Sequence, residues 1–459
     1  MKQIESIIFG IVAFVFGMIY VFIIPPFQAP DEAHHFYRAY HISTGHLMGE
    51  QTDNQRLGGE IPLSLHQFAM QFRPLRYHPE RKISRDSINK AGQIVLEVEN
   101  AAFVDFPNVG YYATFGYLPQ SVGIGVAKLF NTRPLYLLYT ARIINLFSWI
   151  ILMIWAIRIF PIHKKIILYL GLLPASLFFH SGLNPDAITH GLFFVLLAYL
   201  LKLIYSEAAI SWKVSWLFII SGIVTINKVV YTPVILLALL IPKRKFRSSK
   251  DYWFMMGGIA AFHLMLIILW YFVANHLFIP YDAYNPDFRA DKQLNPGVVP
   301  LEQLKFIITQ PFKFIKIAYV SYEETLPWTL KHYVGKFGWE GNYLPKWVTD
   351  LLLYTSLLIA ILDVNTLKTN KHRFAYLGIG LLMVIAFSII IYMQWSPPAN
   401  DRIRSLSGRY FIPIFPLIYF SLFNLKRNIP TSILITLIMM LIVLSNSYGI
   451  NAALWRYYY

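Results

Sequence analysis

An ionisable cluster follows the first apolar stretch of the sequence. The segment "APDEAHHFYRAY" brings Asp31, Glu32, His34, His35 and Arg38 into eight positions. A proline followed by two acids is typical of a first helical turn, where negative charge is favoured. His34, His35 and Arg38 follow Asp31 at spacings of three, four and seven, so these four side chains could share one helix face. A carboxylate held there could act as general base toward an acceptor hydroxyl, or could simply cap a helix with a solvated polar face.

Another acid begins an apolar helix in "FFHSGLNPDAITHGLFF". Asp186 follows the turn formed by Asn184 and a proline, and two histidines flank it. An aspartate at the start of a span can contact a substrate, bind a metal or cap the helix. Because the topology inferred below puts Asp31 and Asp186 on the same side, we interpret them as two carboxylates that converge over a membrane cavity.

Arginines supply candidate phosphate-binding groups. The segment "MQWSPPANDRIRSLSGRYFIPIFPL" carries Arg402, Arg404, Arg409 and Tyr410, the last two at the start of an apolar run. A guanidinium fork suits phosphate oxygens, although arginines at span ends also extend to ordinary lipid headgroups. Arg142, in "YTARIINLF", lies further inside its apolar run. An intramembrane arginine is a candidate functional residue, or else a purely structural partner of Asp31 or Asp186.

Metal and cofactor chemistry is restricted by what the sequence lacks. It has no cysteine, which excludes disulfides, iron–sulfur clusters, thiolate zinc sites and thiol nucleophiles. It also lacks a glycine-rich phosphate loop and a serine nucleophile elbow, so it shows no means of using a soluble nucleotide. A divalent metal at the first-loop acids with His34 and His35 stays open, although adjacent helical histidines point about 100° apart and no ligand-spacing motif is present. We therefore predict no cofactor and no defined metal site.

Composition identifies the elements that must position these groups. The chain has 459 residues, of which 56% are hydrophobic and 14% charged, and its apolar runs of about 17 to 25 residues can cross a bilayer. We therefore predict an all-α integral membrane protein that forms one domain over residues 1–459. About eleven transmembrane helices are expected, at residues 5–24, 135–159, 165–181, 185–205, 212–226, 228–242, 252–275, 347–363, 373–394, 408–424 and 430–450.

The basic residues indicate how these helices are oriented. If residues 111–130 do not cross, every short basic cluster falls on one side, as the positive-inside rule requires for the cytoplasm. These clusters are formed by Arg158, Lys164, Lys165, Lys202, Lys213, residues 243–250, Lys368, Lys371, Arg373, Lys426 and Arg427. The N-terminus is then cytoplasmic, and outer insertions at 25–134 and 276–346 face outward with the candidate site. Residues 111–130 are expected to form a juxtamembrane helix pair at that outer face.

Charge also bears on the partners of the chain. The formal net charge is +16, which could favour nucleic acid. The basic residues instead occur in short clusters between apolar runs, a pattern typical of membrane orientation and of contact with anionic lipids. We predict membrane lipids as partners and no nucleic acid.

Four segments, taken in order, resemble a known pattern. They are "PPFQAPDEAHHFYRAYHIS" after the first span, "ARIINLF", "SGLNPDAITHGLFFVLLAYLL" and "SGRYFIPIFPLIYF". Together they resemble a bacterial membrane-protein family of unknown function within the GT-C glycosyltransferase superfamily, and the resemblance covers nearly the whole chain. It implies a GT-C-like bundle with juxtamembrane helices on the outer face, located in the bacterial plasma membrane.

The resemblance also implies roles for the candidate residues. GT-C enzymes take sugars from polyprenyl phosphates and use an acid in the first outer loop, often with another in the second. Asp31 would be the catalytic carboxylate, Glu32 its neighbour and Asp186 the second acid. Candidates for contact with the lipid phosphate or the rest of the substrate are His34, His35, Arg38, Arg142, Asn184, Arg402, Arg404, Arg409 and Tyr410.

The expected reaction is inverting transfer of a sugar to an extracytoplasmic glycan or cell-envelope acceptor. Asp31 would serve as general base, and arginines would stabilise the departing lipid phosphate. Two other functions stay open. A lipid-linked glycan flippase would also need a basic cavity, although carriers generally place functional charges near the middle of their spans. A non-catalytic polysaccharide-assembly subunit would tolerate replacement of Asp31.

Overall fold

The computed structural model describes residues 3–52, 55–130, 133–210, 214–288, 295–363, 369–423 and 430–459. Within these ranges the chain forms α-helices and one small sheet. The helices are α1 (Ile4–Ile23), α2 (Glu32–Ser43), α3 (Leu63–Met70), α4 (Arg85–Ala91), α5 (Leu118–Phe130), α6 (Pro134–Ile159), α7 (Lys164–Gly171), α8 (Pro174–Ser181), α9 (Asp186–Tyr205), α10 (Ser215–Asn227), α11 (Ser249–Leu277), α12 (Pro300–Thr309), α13 (Pro311–Gly335), α14 (Lys346–Leu362), α15 (Asn370–Trp395), α16 (Phe415–Ser421) and α17 (Thr431–Tyr457). The strands are β1 (Glu50–Thr52), β2 (Arg56–Pro62) and β3 (Ala101–Asp105).

Six helices in the described ranges are long and apolar enough to cross a membrane. They are α1, α6, α9, α11, α15 and α17. α6 packs along both α1 and α9, and α1 also contacts α17. This confirms a helical membrane protein, but it does not reproduce the expected count of about eleven spans.

Several predicted spans are interrupted or short. The predicted span 165–181 is divided into α7 and α8 because Pro174 has no N–H and disfavours the helical conformation at Leu173, whose ψ is 142°. Val229–Leu240 forms a 3₁₀ helix with an internal proline, and 408–424 contains a 3₁₀ turn followed by the short α16. α10 and α14 have 13 and 17 residues. The long 3₁₀ segment packs against α9, α10 and α15, so protein covers its irregular backbone.

Residues 111–130 do not form one of the six long helices. A 3₁₀ turn at Thr114–Tyr117 leads into α5, which has 13 residues. A helix of that length extends about 20 Å, short of a hydrocarbon core about 30 Å thick. α5 lies against α2 and α6. The segment is therefore a short helix with one face packed against the bundle, in agreement with the expectation that it does not cross.

A three-stranded antiparallel sheet in the first insertion departs from the predicted all-α class. β2 is the central strand, and its Gly58 is aligned with Glu50 of β1 and with Asp105 of β3. Arg56 and Asp105 form an ion pair at 2.6 Å. The strands have 3, 7 and 5 residues, and strands this short leave little hydrophobic alternation in the sequence. β2 packs against α2, so the sheet supports the helix that begins beside Asp31.

Two of the basic residues that the sequence assigns to the cytoplasm lie at one end of the bundle. At one end, Arg158 near the close of α6 donates to Ser6 at the start of α1 (Nε to Oγ, 3.4 Å). At the same end, Lys165 at the start of α7 meets Asp363 just beyond α14 (3.2 Å). The candidate acids lie at the other end, where α1 finishes and α9 begins. The fold therefore separates these basic residues from the candidate site. Outside the described residues lie the basic positions Lys213, Lys368, Lys426 and Arg427.

Candidate active site

Asp31 stands at the start of α2 without capping it. Its backbone has φ 62° and ψ 5°, a left-handed conformation that aspartate adopts more readily than most residues. Its side chain makes no capping hydrogen bond to the helix. Instead, Oδ2 of Asp31 accepts a hydrogen bond from Nη2 of Arg409 at 3.1 Å. The carboxylate is thus directed at a distant part of the sequence, which excludes helix capping as its role in this structure.

Arg409 is presented by a 3₁₀ turn that packs closely against α13. A Cβ added at Gly408 would lie 2.3 Å from the carbonyl oxygen of Thr329, so only glycine permits this approach. The Arg409 guanidinium also donates to the Tyr410 hydroxyl at 2.9 Å. Its Nε has no hydrogen-bond partner in the described part of the chain. The arginine therefore keeps donor capacity beyond its bond to Asp31.

Asp31 and Arg409 both line a cavity of about 360 Å³, a size typical of small-ligand sites. The cavity has mainly aromatic walls, formed by Tyr77, Phe178, Phe179, Trp328, Tyr333, Trp339, Trp395 and Tyr410. Flat ring faces of this kind provide surfaces on which a sugar ring can stack. The cavity thus combines the ion pair of Asp31 and Arg409 with apolar ring faces.

Lys336 adds a second cation to the cavity. It follows the last residue of α13 and lines the same wall as His332. Burial, together with the nearby charge of Arg409, lowers the pKa of Lys336 to about 8. Burial also lowers the pKa of His332 to about 2, so that imidazole is neutral. Arg409 and Lys336 therefore provide positive charge suited to an anionic substrate group.

Opposing influences set the pKa of Asp31. Burial alone would raise this pKa, but Arg409 and His35 hold it below the ordinary value of an aspartate. The carboxylate is therefore ionised at neutral pH and is a weak base while Arg409 contacts it. An anionic ligand that drew Arg409 away would make Asp31 more basic.

Asp186 is the first residue of α9, and the preceding turn holds it in position. The side-chain oxygen of Asn184 accepts the Asp186 N–H at 3.0 Å, an Asx turn that starts the helix. The Asp186 carboxylate pairs with the ammonium of Lys228, which follows α10. Asp186 is therefore held by a cation of its own, as Asp31 is.

Tyr410 contacts the cations of both ion pairs, Asp31–Arg409 and Asp186–Lys228. Its ring centroid lies 4.9 Å from the guanidinium carbon of Arg409 and 4.8 Å from Nζ of Lys228. These distances are within the range of cation–π attraction. The structure thus brings together, around one tyrosine, the two acids that the sequence places at separate helix starts.

His35 lies within electrostatic reach of both acids. Burial lowers its pKa to about 4, against the opposing charges of Asp31 and Asp186. Its Nδ1 is 2.7 Å from the Tyr117 hydroxyl. A neutral imidazole bonded in this way has a fixed orientation, so His35 is suited to holding the site together.

Glu32 and Arg142 form a buried pair away from the cavity. Nε and Nη2 of Arg142 donate to the two carboxylate oxygens of Glu32 at 2.7 and 2.6 Å. The remaining N–H groups donate to the carbonyl oxygens of Val21, Ile24 and Pro25, so all five donors of Arg142 are bonded within the protein. The pair therefore fixes the end of α1 against α6. Neither residue lines the cavity that holds Asp31, so their expected catalytic and lipid-phosphate roles stay predictions.

Two further members of the first-loop cluster are directed away from the cavity. Arg38 donates to the carbonyl oxygen of Leu47, and Nδ1 of His34 lies 2.5 Å from Oδ1 of Asn108. α2 is buried along nearly its whole length. In this structure His34 and Arg38 therefore pack against the first loop and do not line the cavity.

The other expected substrate contacts lie outside the cavity. The Asn184 amide donates to the carbonyl oxygen of Phe179, near the end of α8, at 2.7 Å. Arg402 pairs with a glutamate near the surface at 2.7 Å, and Arg404 is exposed. The cavity is lined by two of the expected substrate contacts, Arg409 and Tyr410.

Besides the other aromatic residues of the cavity wall, the site includes four residues of interest that the sequence analysis did not identify: Lys228, His332, Lys336 and Trp339. Lys228 is a lone basic residue in a turn predicted to face outward between apolar segments, which runs against the positive-inside rule and is a usable signal. The other three lie in "WTLKHYVGKFGWEGNYLPKW", whose composition equally suits an interfacial aromatic belt. Composition alone does not distinguish a belt from the wall of a cavity.

The first-loop acids do not converge with His34 and His35 on a metal-binding geometry. Within the described ranges, one group of three potential ligands has its donor atoms within 4.8 Å of one another, namely His41, His46 and Glu50. In the described part of the chain, the first-loop acids with His34 and His35 therefore do not form the metal site that the sequence left open.

Comparison with known families identifies the chain only at a general level. A family described as "Predicted membrane protein (DUF2142)" matches residues 14–418, which is most of the chain. The chain belongs to this membrane-protein family, whose function is unknown. No curated protein and no solved structure matches it. The match confirms a membrane-protein family of unknown function, as the four ordered segments indicated.

Proposed function

We propose that this chain is a membrane glycosyltransferase that moves a sugar from a polyprenyl phosphate to a glycan or cell-envelope acceptor. The observation that carries the proposal is the ion pair between Asp31 and Arg409 in the wall of an aromatic cavity. A base and an anion-binding group are held side by side at one end of a membrane-spanning bundle. The resemblance of the ordered sequence segments to GT-C enzymes supports the same reaction and a GT-C-like fold.

In the proposed reaction, the acceptor hydroxyl gives its proton to Asp31 while its oxygen bonds to the anomeric carbon. The bond between that carbon and the phosphate oxygen breaks, and its electron pair leaves with the polyprenyl phosphate. Arg409 and Lys336 stabilise the negative charge of the departing phosphate. Direct displacement inverts the anomeric configuration and needs no covalent enzyme intermediate.

The ion pair of the resting site couples substrate binding to base strength. A substrate phosphate competes with Asp31 for the donors of Arg409, whose planar fork fits phosphate oxygens. As Arg409 turns to the phosphate, Asp31 loses the charge that held its pKa down and becomes a better base. Asp31 therefore becomes basic enough to take the acceptor's proton only when the polyprenyl-phosphate sugar is bound.

Asp186 acts in this proposal as a positioning residue. Its pairing with Lys228 places a second cation, besides Arg409, at the Tyr410 ring. The expected second acid would therefore influence the reaction through Lys228 and Tyr410 rather than by touching the substrate.

The proposed setting follows from charge distribution. Arg158 and Lys165, two members of the predicted cytoplasmic clusters, lie at the opposite end of the bundle from Asp31, which supports a cytoplasmic N-terminus and an outward-facing site in a bacterial plasma membrane. The partners would be a polyprenyl-phosphate sugar, an extracytoplasmic glycan acceptor and membrane lipids. A donor activated before it reaches the site removes the need for a soluble nucleotide.

The proposal is tested by the sugar composition of the cell envelope in a strain of the source organism that lacks this gene. We expect one sugar to be lost on deletion and restored by the native gene, and that sugar would identify the donor. An envelope with unchanged composition and linkages would overturn glycosyl transfer. Accumulation of a complete lipid-linked glycan on the inner leaflet would instead indicate a flippase.

A further inference from the structure

His41, His46 and Glu50 form a cluster at the far end of α2 from Asp31. His41 lies in the last turn of α2, His46 follows in the loop, and Glu50 is the first residue of β1. Nδ1 of His46 is 2.6 Å from Oε1 of Glu50, and Nε2 of His41 is 3.5 Å from the same oxygen. Three potential metal ligands thus converge from a helix, a loop and a strand.

These separations are close to those of a zinc coordination shell. Ligands about 2.0 to 2.1 Å from a tetrahedral zinc ion lie about 3.3 Å from one another. The distance between His41 and Glu50 already has this value within a few tenths of an ångström. The distance between His46 and Glu50 is that of a hydrogen bond, and replacing the shared proton with a metal requires a small outward movement of one side chain.

The His41 ring is held in place but is poorly satisfied by protein. Its side chain is 1% exposed, Nε2 has only the long 3.5 Å contact with Glu50, and Nδ1 has no hydrogen-bond partner among the described residues. A buried polar nitrogen without a partner is costly, and metal coordination removes that cost. A Cβ added at Gly59 of β2 would lie 2.5 Å from Nε2 of His41, so glycine at that position gives the ring its space.

The loop that carries His46 is also fixed by the protein. Nη1 of Arg38 donates to the His46 carbonyl oxygen at 3.4 Å, and Nη2 donates to the carbonyl of Leu47. The His41 and His46 rings are stacked, with centroids 4.4 Å apart and planes inclined by 18°. The lone pairs of two stacked rings do not converge, so shared coordination requires the half-exposed His46 ring to rotate while the backbone that carries both ligands stays in place.

We propose that His41, His46 and Glu50 bind one divalent transition-metal ion, with zinc as the best fit. Two imidazoles and one carboxylate are a ligand set that zinc accepts, and the fourth position is open to water because His46 and Glu50 are about half exposed. This inference does not depend on the proposed glycosyl transfer. Ten helical residues, about 15 Å, separate His41 from Asp31, so the metal would connect α2 to the sheet and would not take part in chemistry at Asp31.

The test measures bound zinc and thermal unfolding of the full-length protein, purified without a polyhistidine tag in the presence of zinc sulfate and then desalted. We expect about one zinc per chain in the native protein, by analogy with other single-ion structural sites. His46→Gln and Glu50→Gln should lose that zinc. His78→Gln should retain it, because the exposed pair of His78 and Glu80 at 2.9 Å offers two ligands only.

A second readout separates loss of metal from loss of fold. A chelator should lower the unfolding temperature of the native protein and of His78→Gln, and it should have no effect on His46→Gln, which is exposed enough to be replaced without disturbing the core. Zinc absent from the native protein, or equally bound by His46→Gln and Glu50→Gln, would overturn the site. Both readouts are independent of sugar transfer, so failure of the proposed function would leave them unaffected.

Discussion

Nη2 of Arg409 lies 3.1 Å from Oδ2 of Asp31, although 378 positions separate the two residues in the sequence. The contact joins the first polar turn after α1 to the 3₁₀ turn before α16. Both side chains are partly accessible from the cavity, at 14% for Asp31 and 21% for Arg409. An acid and a cation kept together at the wall of a ligand-sized cavity can be separated by an anion that binds there.

Arg409→Gln should reduce transfer by about 10²- to 10³-fold, the usual effect of removing a donor that stabilises developing negative charge. Arg409→Lys should recover only part of this loss, because an ammonium lacks the planar fork that fits phosphate. Initial rates with a radiolabelled lipid-linked sugar check both variants. The matched control is Arg402→Gln, whose surface pairing with Glu324 lies away from the cavity. Full activity of Arg409→Gln would contradict its assignment to the departing phosphate.

The pH dependence of transfer should report Lys336. Its pKa of about 8 means that the ammonium is present below this pH and lost above it, so transfer should decline as pH rises through about 8. The lowered pKa of Asp31 keeps the base ionised at neutral pH, so loss of activity on the acid side should occur only in the acidic range. Lys336→Arg should remove the alkaline decline, because guanidinium keeps its charge at that pH. An identical alkaline decline in Lys336→Arg would assign it to another group.

The buried pair of Glu32 and Arg142 should matter for stability more than for chemistry. Removing one member leaves an uncompensated charge, so Glu32→Gln and Arg142→Met should each lower the free energy of unfolding by about 3 to 5 kcal/mol. The double variant should be less destabilised than the sum of the two single variants, because the isolated charge is gone. Thermal unfolding in detergent measures all three proteins. Additive losses would show that the two charges do not depend on each other.

Part of the site was predictable from sequence because helix starts and spans carry strong local signals. Asp31 and Asp186 each follow a proline turn and precede a helix, and the arrangement of spans puts both at one end. The partners of these acids were not predictable. Lys228 reaches Asp186 because α10 returns to the same end of the bundle, a consequence of packing that no local pattern records.

The choice of partner for Arg142 also required the structure. The sequence allowed this arginine to pair with Asp31 or Asp186, whereas it binds Glu32. Neighbouring positions at a helix start point in different directions, about 100° apart. Asp31 therefore meets the cavity while Glu32 enters the bundle, and the adjacent acids separate into one exposed to ligand and one buried.

The fold departs from the sequence prediction where backbone irregularity is covered by protein. Pro174 divides one apolar run into α7 and α8, and hydropathy does not record this division because both halves are equally apolar. The sheet was missed because its strands are short, with 3, 7 and 5 residues, and show no clear alternation of apolar and polar side chains. Glu50, at the start of β1, joins His41 and His46 only through that sheet, so the proposed metal cluster was also hidden.

The central claim is that Asp31 is the base of a glycosyl transfer reaction, and Asp31→Asn tests it most directly. The strain lacking this gene is complemented with the native gene, with Asp31→Asn or with Arg402→Gln, at equal membrane abundance. Loss of a general base should reduce transfer by about 10²- to 10⁴-fold, so the missing envelope sugar should return with the native gene and with Arg402→Gln but stay absent with Asp31→Asn. Full restoration of that sugar by Asp31→Asn would contradict the account.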